Sequence, residues 1–233
     1  MAKKITPWSK NNVNAYARYD YSELGLIHPV MIKMLMPLTG KRIADYGCGE
    51  GKLLEELKQA GAEISGYDIS VEMINKAKAR LGKNQDLRVI LSGNVPVKDN
   101  SLDAIVSNLV LMMCPSLKDI EKIFIEINRI LKPNGAWIYC VTHPAFVDKD
   151  FPTYRNIFKG ERDYFKDGEP YQFVLKRRNG SEITDISFID HNYSLSSYLN
   201  LLPQTGFEFQ ELKEVKLKGV KIPPYMVIRS SKK

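Results

Sequence analysis

The segment Asp45-Tyr46-Gly47-Cys48-Gly49-Glu50-Gly51 sets three glycines at alternate positions behind a carboxylate. Only glycine takes positive φ without strain and lets backbone approach a ligand with no Cβ between them, so the pattern suits a loop wrapped on a bound molecule. The dinucleotide fingerprint needs its third glycine one position later, where Lys52 stands, and no Gly-Lys-Ser/Thr follows at the spacing of a phosphate-binding loop. A second carboxylate, Asp68, lies 21 positions beyond Gly47, placed to accept hydrogen bonds from both hydroxyls of a ribose. With Asp45 free to face an ammonium group and no lysine for phosphates, the charge pattern fits a nucleoside carrying a cationic amino-acid tail.

These residues act together only if a strand ends, and a helix begins, at the glycines. Arg42–Tyr46 reads as that strand and Lys52–Gln59 as the helix, with Leu53, Leu54 and Leu57 on one face and Gly61 as its stop. Glu63–Asp68 is a second strand. Ser70 caps a helix running through Arg80, with Met73, Ile74 and Ala77 turned inward and Gly82 at its end. Leu87–Leu91 and Leu102–Ser107 give a third and a fourth strand. Ser116 and Asp119 read as a capping box for a helix through Leu117, Ile120, Ile123, Phe124, Ile127, Ile130 and Leu131. The turn Lys132-Pro133-Asn134-Gly135 then leads into a fifth strand, Ala136–Val141. Upstream, Pro29 suits the first turn of a helix reaching about Leu38. Strands alternating with helices over short links imply a parallel sheet covered on both faces.

After His143-Pro144 this rhythm lapses. Residues 145–190 are rich in Tyr, Phe, Lys, Arg, Asp and Gly without a sustained period, and read as an insertion or cap rather than more sheet. Ser194 then caps a helix containing Leu195, Tyr198, Leu199 and Leu202, with Pro203 and Gly206 closing it. Phe207–Val215 and Ile222–Arg229 read as a hairpin at one edge of the sheet, turning around Lys218-Gly219.

Asp45 to Gly51, Asp68, the strand Ser101–Ser107 and the turn Leu131–Gly135 together resemble the motif series of class I S-adenosylmethionine-dependent methyltransferases, over about residues 40–142. The resemblance implies an α/β fold of Rossmann-like type: a doubly wound, seven-stranded, mostly parallel sheet with the last strand antiparallel. It also implies S-adenosylmethionine as cofactor and S-adenosylhomocysteine as product. Gly47, Cys48 and Gly49 would pass under the methionine part, Asp68 with Ile69 would hold the ribose, and Asn94 with Val95 would pack on adenine. Asn108 would offer its backbone carbonyl to the ammonium beside Leu109. Many relatives carry aspartate where this chain has Asn94. Tyr19, with Tyr16 and Tyr21, could close over the cofactor. In-line methyl transfer asks the protein mainly for alignment and desolvation, with a base only where the nucleophile must lose a proton. His143, following the fifth strand at the edge where ligands of such sheets bind, is the candidate base. The expected division within one domain, 1–233, is an amino-terminal arm and helix (1–39), a cofactor-binding core (40–144), an insertion or substrate cap (145–190) and a closing helix and hairpin (191–233).

Composition narrows the class. Of 233 residues, 44% are hydrophobic and 26% charged, as in an ordinary globular protein. No run approaches the roughly 20 apolar residues that cross a bilayer. The first residues carry no apolar signal region, so a cytoplasmic address is expected. Cys48, Cys114 and Cys140 are too widely spaced for a disulfide framework or a zinc site. No cluster of carboxylates marks the ends of strands four and five, and no metal is expected. The net charge of +7 is spread along the chain, its one dense run being Lys176-Arg177-Arg178. A small-molecule acceptor is therefore expected, with the enzyme a monomer or homodimer and not bound to membrane. RNA modification, and a non-catalytic S-adenosylmethionine-binding role, are the alternatives.

Overall fold

Along the first strand apolar side chains alternate between two cores, Ile43 facing one and Ala44 and Tyr46 the other. That alternation needs helices on both sides of a sheet. A computed structural model, which describes residues 12, 13, 16, 24–177, 179–183 and 188–233, supplies them. The main sheet has seven strands in the order β3-β2-β1-β4-β5-β10-β9. These are β1 (Arg42–Tyr46), β2 (Glu63–Asp68), β3 (Asp86–Val89), β4 (Leu102–Asn108), β5 (Leu131–Thr142), β9 (Phe207–Val215) and β10 (Tyr225–Lys232). β10 runs antiparallel to both neighbours, while β1 to β5 are mutually parallel. The expected Rossmann-like sheet is therefore present.

Helices α1 (Leu24–Leu35), α2 (Lys52–Gln59) and α3 (Val71–Leu81) cover one face, and α4 (Leu117–Ile130) and α5 (Leu195–Gln204) the other. Their ends follow local chemistry. The Ser70 side chain accepts from the Met73 amide, Ser116 from Asp119 and Ser194 from Ser197, each satisfying a donor that the first turn leaves open. On the α4 face Phe124 packs edge-on against Trp137, ring centres 4.5 Å apart, and Trp137 Nε1 donates to Ser107 Oγ at 3.2 Å.

Several boundaries differ from expectation. Pro29 lies inside α1 rather than in its first turn, which removes one internal hydrogen bond, and the helix stops at Leu35 because the residue before Pro37 is pushed out of helical backbone. The turn at residues 132–135 is absorbed into β5 as a bulge: Leu102 pairs with Leu131 and Ala104 with Ala136, with Asn134 at φ 62°. β10 starts at Tyr225, past the two prolines that could donate no ladder hydrogen bond.

The largest difference lies in residues 145–190. They contain strands β6 (Tyr154–Ile157) and β7 (Glu169–Leu175), and with β8 (Phe188–Asn192) these make an antiparallel sheet in the order β6-β7-β8. This small sheet packs over the carboxyl edge of the main one. β8 contacts a single turn at Leu111–Met113, and the Tyr193 hydroxyl donates to the Cys114 carbonyl at 2.6 Å.

Candidate functional site

The chain reverses order between β1 and β4, and a crevice opens there at the carboxyl ends of the strands. The glycine loop forms its floor. The amides of Gly47 and Cys48 donate to the Tyr67 carbonyl at 2.7 and 3.1 Å, pinning the loop to β2. Each glycine has φ between 53° and 82°, yet each answers to a different neighbour. A Cβ on Gly47 would stand 2.3 Å from Val110 Cγ2, and one on Gly51 would stand 2.9 Å from Leu81 Cδ1. A Cβ on Gly49 would meet nothing within 4 Å. Gly47 and Gly51 thus serve packing, while Gly49 keeps backbone bare toward open space.

Asp68 closes the loop from the side. Its Oδ2 accepts from the Gly49 amide at 2.9 Å and its Oδ1 from the Ser70 amide at 2.8 Å. The Ile69 amide also supports the carboxylate, and as a carboxylate offers about four acceptor positions, capacity remains for a ligand. Burial raises its pKa, against the pull of those amide bonds. Asp45 is more strongly affected: burial first, and then the charge of Asp68, push its carboxyl up to about 8. Its Oδ1 is buried and has no hydrogen-bond partner among the described residues, and the same holds for Asn108 Oδ1. Asn108 ends β4, and Leu109 follows in left-handed backbone, φ 57°, held by its amide bond to the Cys140 carbonyl at 3.0 Å.

Nine of the residues singled out from sequence line this one cavity: Tyr16, Asp45, Gly47, Cys48, Gly49, Asp68, Ile69, Asn108 and Leu109. Three stand elsewhere. Asn94 is exposed and Val95 buried in the core, both outside the lining, because Glu126 Oε1 takes the Val95 amide at 2.6 Å and Arg129 takes its carbonyl at 2.9 Å. The turn thereby presents Ile90 and Ser92 to the cavity instead. His143 is also outside the lining. Its Nδ1 accepts from the Ala145 amide at 3.2 Å and its Nε2 meets Glu214 Oε1 at 3.0 Å, so both ring nitrogens serve the turn after β5. Tyr19 and Tyr21 lie outside the described residues, whereas Tyr16 lines the cavity. Burial, then Asp45 and Asp68, raise the Cys48 thiol well above its ordinary pKa, which keeps it protonated and unreactive.

His28 is not among the residues that the sequence singles out. It is buried in the cavity wall, with Nδ1 2.7 Å from Glu56 Oε1 and Nε2 3.4 Å from Asn108 Nδ2. Nothing local signals this, since the contacts span 28 and 80 positions. Tyr46 was read only as a strand residue. Its hydroxyl accepts from the Gly93 amide at 2.8 Å and so positions the Ser92 turn.

A family described as a methyltransferase domain matches residues 44–139, which hold β1, the glycine loop, Asp68 and β4. That segment carries the motif series of a methyltransferase domain, and over it the chain is similar to the class I S-adenosylmethionine-dependent methyltransferases. The chain is 32% identical over 114 residues to a demethylmenaquinone methyltransferase of Tropheryma whipplei, a match covering 48% of this chain and 46% of that protein. At this level of identity the chain spans about half the length of the curated relatives it matches. It is 23% identical over 191 residues to a ubiquinone biosynthesis O-methyltransferase of Thiobacillus denitrificans, covering 74% of this chain and 79% of the relative. An S-adenosylmethionine dependent methyltransferase from Mesorhizobium loti shares the fold, with a TM-score of 0.64 at 18% identity, covering 88% of this chain and 96% of that one.

The cavity fits S-adenosylmethionine, the cofactor that the matched domain implies. Its two buried acceptors without partners, on Asp45 and Asn108, suit a cationic donor. Gly49 leaves bare backbone, and Ile69, Met73 and Ile90 offer apolar wall for a base. Lys52, the lysine lining the cavity, pairs with Glu50 at 3.2 Å rather than standing ready for a phosphate.

Proposed function

We propose that this chain transfers a methyl group from S-adenosylmethionine to a small-molecule acceptor. The observation that carries the reading is the pair of buried acceptors, Asp45 Oδ1 and Asn108 Oδ1, left without partners beside an open glycine and the ribose-holding candidate Asp68. An unsatisfied buried acceptor costs about 1–3 kcal/mol, so two in one wall are accounted for by a ligand that donates to them.

When bound, S-adenosylmethionine supplies an electrophilic methyl group on a sulfonium. The protein's part is to hold and to exclude water. Asp68 takes ribose hydroxyls with the acceptor positions that Gly49, Ile69 and Ser70 leave open. Ile69 and Ile90 would offer apolar contact to the base and Ser92 a hydroxyl. Asp45 and Asn108 hold the aminoacyl end, and Val110 and Met113 shape the side nearest the small sheet. The small sheet, in which Tyr171 pairs with Asp190 and Phe173 with Phe188, is the candidate cover for the acceptor, since β8 contacts the turn at Leu111–Met113 that precedes the cavity residue Cys114.

A small acceptor is supported on two grounds. Two relatives are named for a demethylated quinone and for ubiquinone biosynthesis. Two residues of the basic run are also engaged internally: Lys176 contacts Asp150 and the Phe151 carbonyl, and Arg177 donates to the Glu182 carbonyl at 2.8 Å. The test incubates the protein with radiolabelled S-adenosylmethionine and a cell extract, then separates small molecules, RNA and protein. Label in the small-molecule fraction is expected. Label in RNA alone overturns the acceptor class, and no binding of S-adenosylhomocysteine by calorimetry overturns the cofactor.

A further inference from the structure

His28, Glu56 and Asn108 come from three elements, α1, α2 and β4, and meet at one wall of the cavity. With the imidazole neutral and the Asn108 amide as placed, their hydrogen bonds assign each proton. Glu56 can only accept, so at 2.7 Å His28 Nδ1 donates to it. In the neutral ring Nε2 is then an acceptor. It faces Asn108 Nδ2 at 3.4 Å and receives that N–H. With its amino side thus engaged, the amide of Asn108 keeps its carbonyl oxygen free, and Oδ1 is indeed buried and without a partner. The sheet puts this oxygen on the right face. Asp45 is in register with Val106, and Asn108 lies two residues further along β4, so the Asp45 and Asn108 side chains emerge from the same side of adjacent strands.

We propose that His28 is a positioning residue whose Glu56-fixed tautomer turns the Asn108 amide carbonyl-first toward the cavity, making Asn108 and Asp45 a paired receptor for the α-ammonium of the bound nucleoside. This rests on the cofactor reading above and assigns the specificity of one end of that site. Without His28 the Asn108 amide rotates freely, and in half of its orientations it presents an NH2 group to the ligand's cation. Glu56 acts one step further out. Its side chain is 42% exposed, so it can be removed with little effect on the core.

The test compares calorimetric binding of two probes, S-adenosylhomocysteine and its analogue in which hydrogen replaces the α-amino group. His28→Ala is expected to weaken S-adenosylhomocysteine about tenfold, the scale of one oriented hydrogen bond to a charged group, and to leave the desamino analogue within about twofold. His28→Gln, whose carbonyl oxygen stands near the place of Nε2, restores S-adenosylhomocysteine to within about threefold of the parent. Glu56→Ala weakens it by a smaller factor with the same preference between probes. A merely structural role for His28 would weaken both probes equally, and that result, or undiminished binding of S-adenosylhomocysteine by His28→Ala, overturns the proposal. Failure of the unaltered protein to bind S-adenosylhomocysteine is a different outcome and overturns the cofactor reading itself. Glu56→Ala keeps the comparison available if His28→Ala does not fold.

Discussion

Asp45 and Asp68 stand on adjacent parallel strands with their side chains on one face, since Asp45 pairs in register with Gly66, two residues short of Asp68. Both are buried, and the loop amide of Gly49 is committed to Asp68 rather than to Asp45. The two carboxylates therefore ionise unequally. Asp68 has the amides of Gly49, Ser70 and Ile69 to support its charge, while Asp45 Oδ1 has no partner among the described residues and feels the charge of Asp68 besides.

This inequality predicts a proton released on binding. With its carboxyl pushed up to about 8, Asp45 is mostly protonated in the free protein at neutral pH. A cation seated against it favours the ionised form. Calorimetric titration of S-adenosylhomocysteine at pH 7, repeated in buffers of different ionisation enthalpy, should show close to one proton released. Affinity should rise with pH and level off above about 8. In Asp45→Asn both effects should vanish, and an unchanged proton count in that variant would remove Asp45 from the ammonium site.

Gly47 and Gly49 predict opposite signatures for one substitution. Alanine at Gly47 drives its Cβ to 2.3 Å from Val110 Cγ2 at φ 82°, and overpacking with left-handed strain should cost about 2–4 kcal/mol of stability. Alanine at Gly49 meets no protein atom within 4 Å, so it should cost only about 1–2 kcal/mol from backbone strain. Its methyl group enters the ligand's space instead. Thermal melts should rank Gly47→Ala as less stable, and titrations on the folded variants should rank Gly49→Ala as the weaker binder of S-adenosylhomocysteine.

The glycine loop was legible because its chemistry is local. Strand, loop, helix and acidic tip lie within the stretch from Arg42 to Asp68, and each step is enforced by neighbouring residues. The wall opposite was not legible. His28 reaches Glu56 and Asn108 only once three elements have packed. The turn after β3 failed for a related reason. Asn94 looks available in sequence, but the buried Glu126 and its partner Arg129 clamp Val95 from α4 and rotate Asn94 outward. In the small sheet, Pro170 sits in the central strand β7, where proline ordinarily argues against a strand, and it hides the alternation of Tyr171 and Phe173.

That clamp gives the next prediction. Glu126→Ala removes the acceptor of the Val95 amide and two hydrogen bonds from Arg129. Leaving a buried amide unpaired should lower stability by roughly 2 kcal/mol. Since the same turn carries Ile90 and Ser92 into the cavity, affinity for S-adenosylhomocysteine should fall several-fold as well. A variant that melts earlier but binds unchanged would show that the turn's position does not matter to the ligand.

Asp190 supplies a stability test separate from the cavity lining. It lies on β8 opposite Tyr171, and burial pushes its carboxyl up to about 7. A carboxyl raised on folding contributes no penalty while it is protonated in both states, below the unfolded pKa of about 4. As pH rises the unfolded chain ionises freely and the folded one does not, so stability declines until about 7 and then stays level. The decline attributable to this group is roughly 2–4 kcal/mol. Asp45 declines over an overlapping window that extends to about 8, so the two are separated by substitution and by ligand. Asp190→Asn should flatten the part of the curve that saturating S-adenosylhomocysteine leaves untouched, whereas Asp45→Asn should flatten the part that the ligand itself removes. A decline in ligand-saturated Asp190→Asn as steep as in the ligand-saturated parent would place the residual decline elsewhere and show that Asp190 is already satisfied in the folded protein.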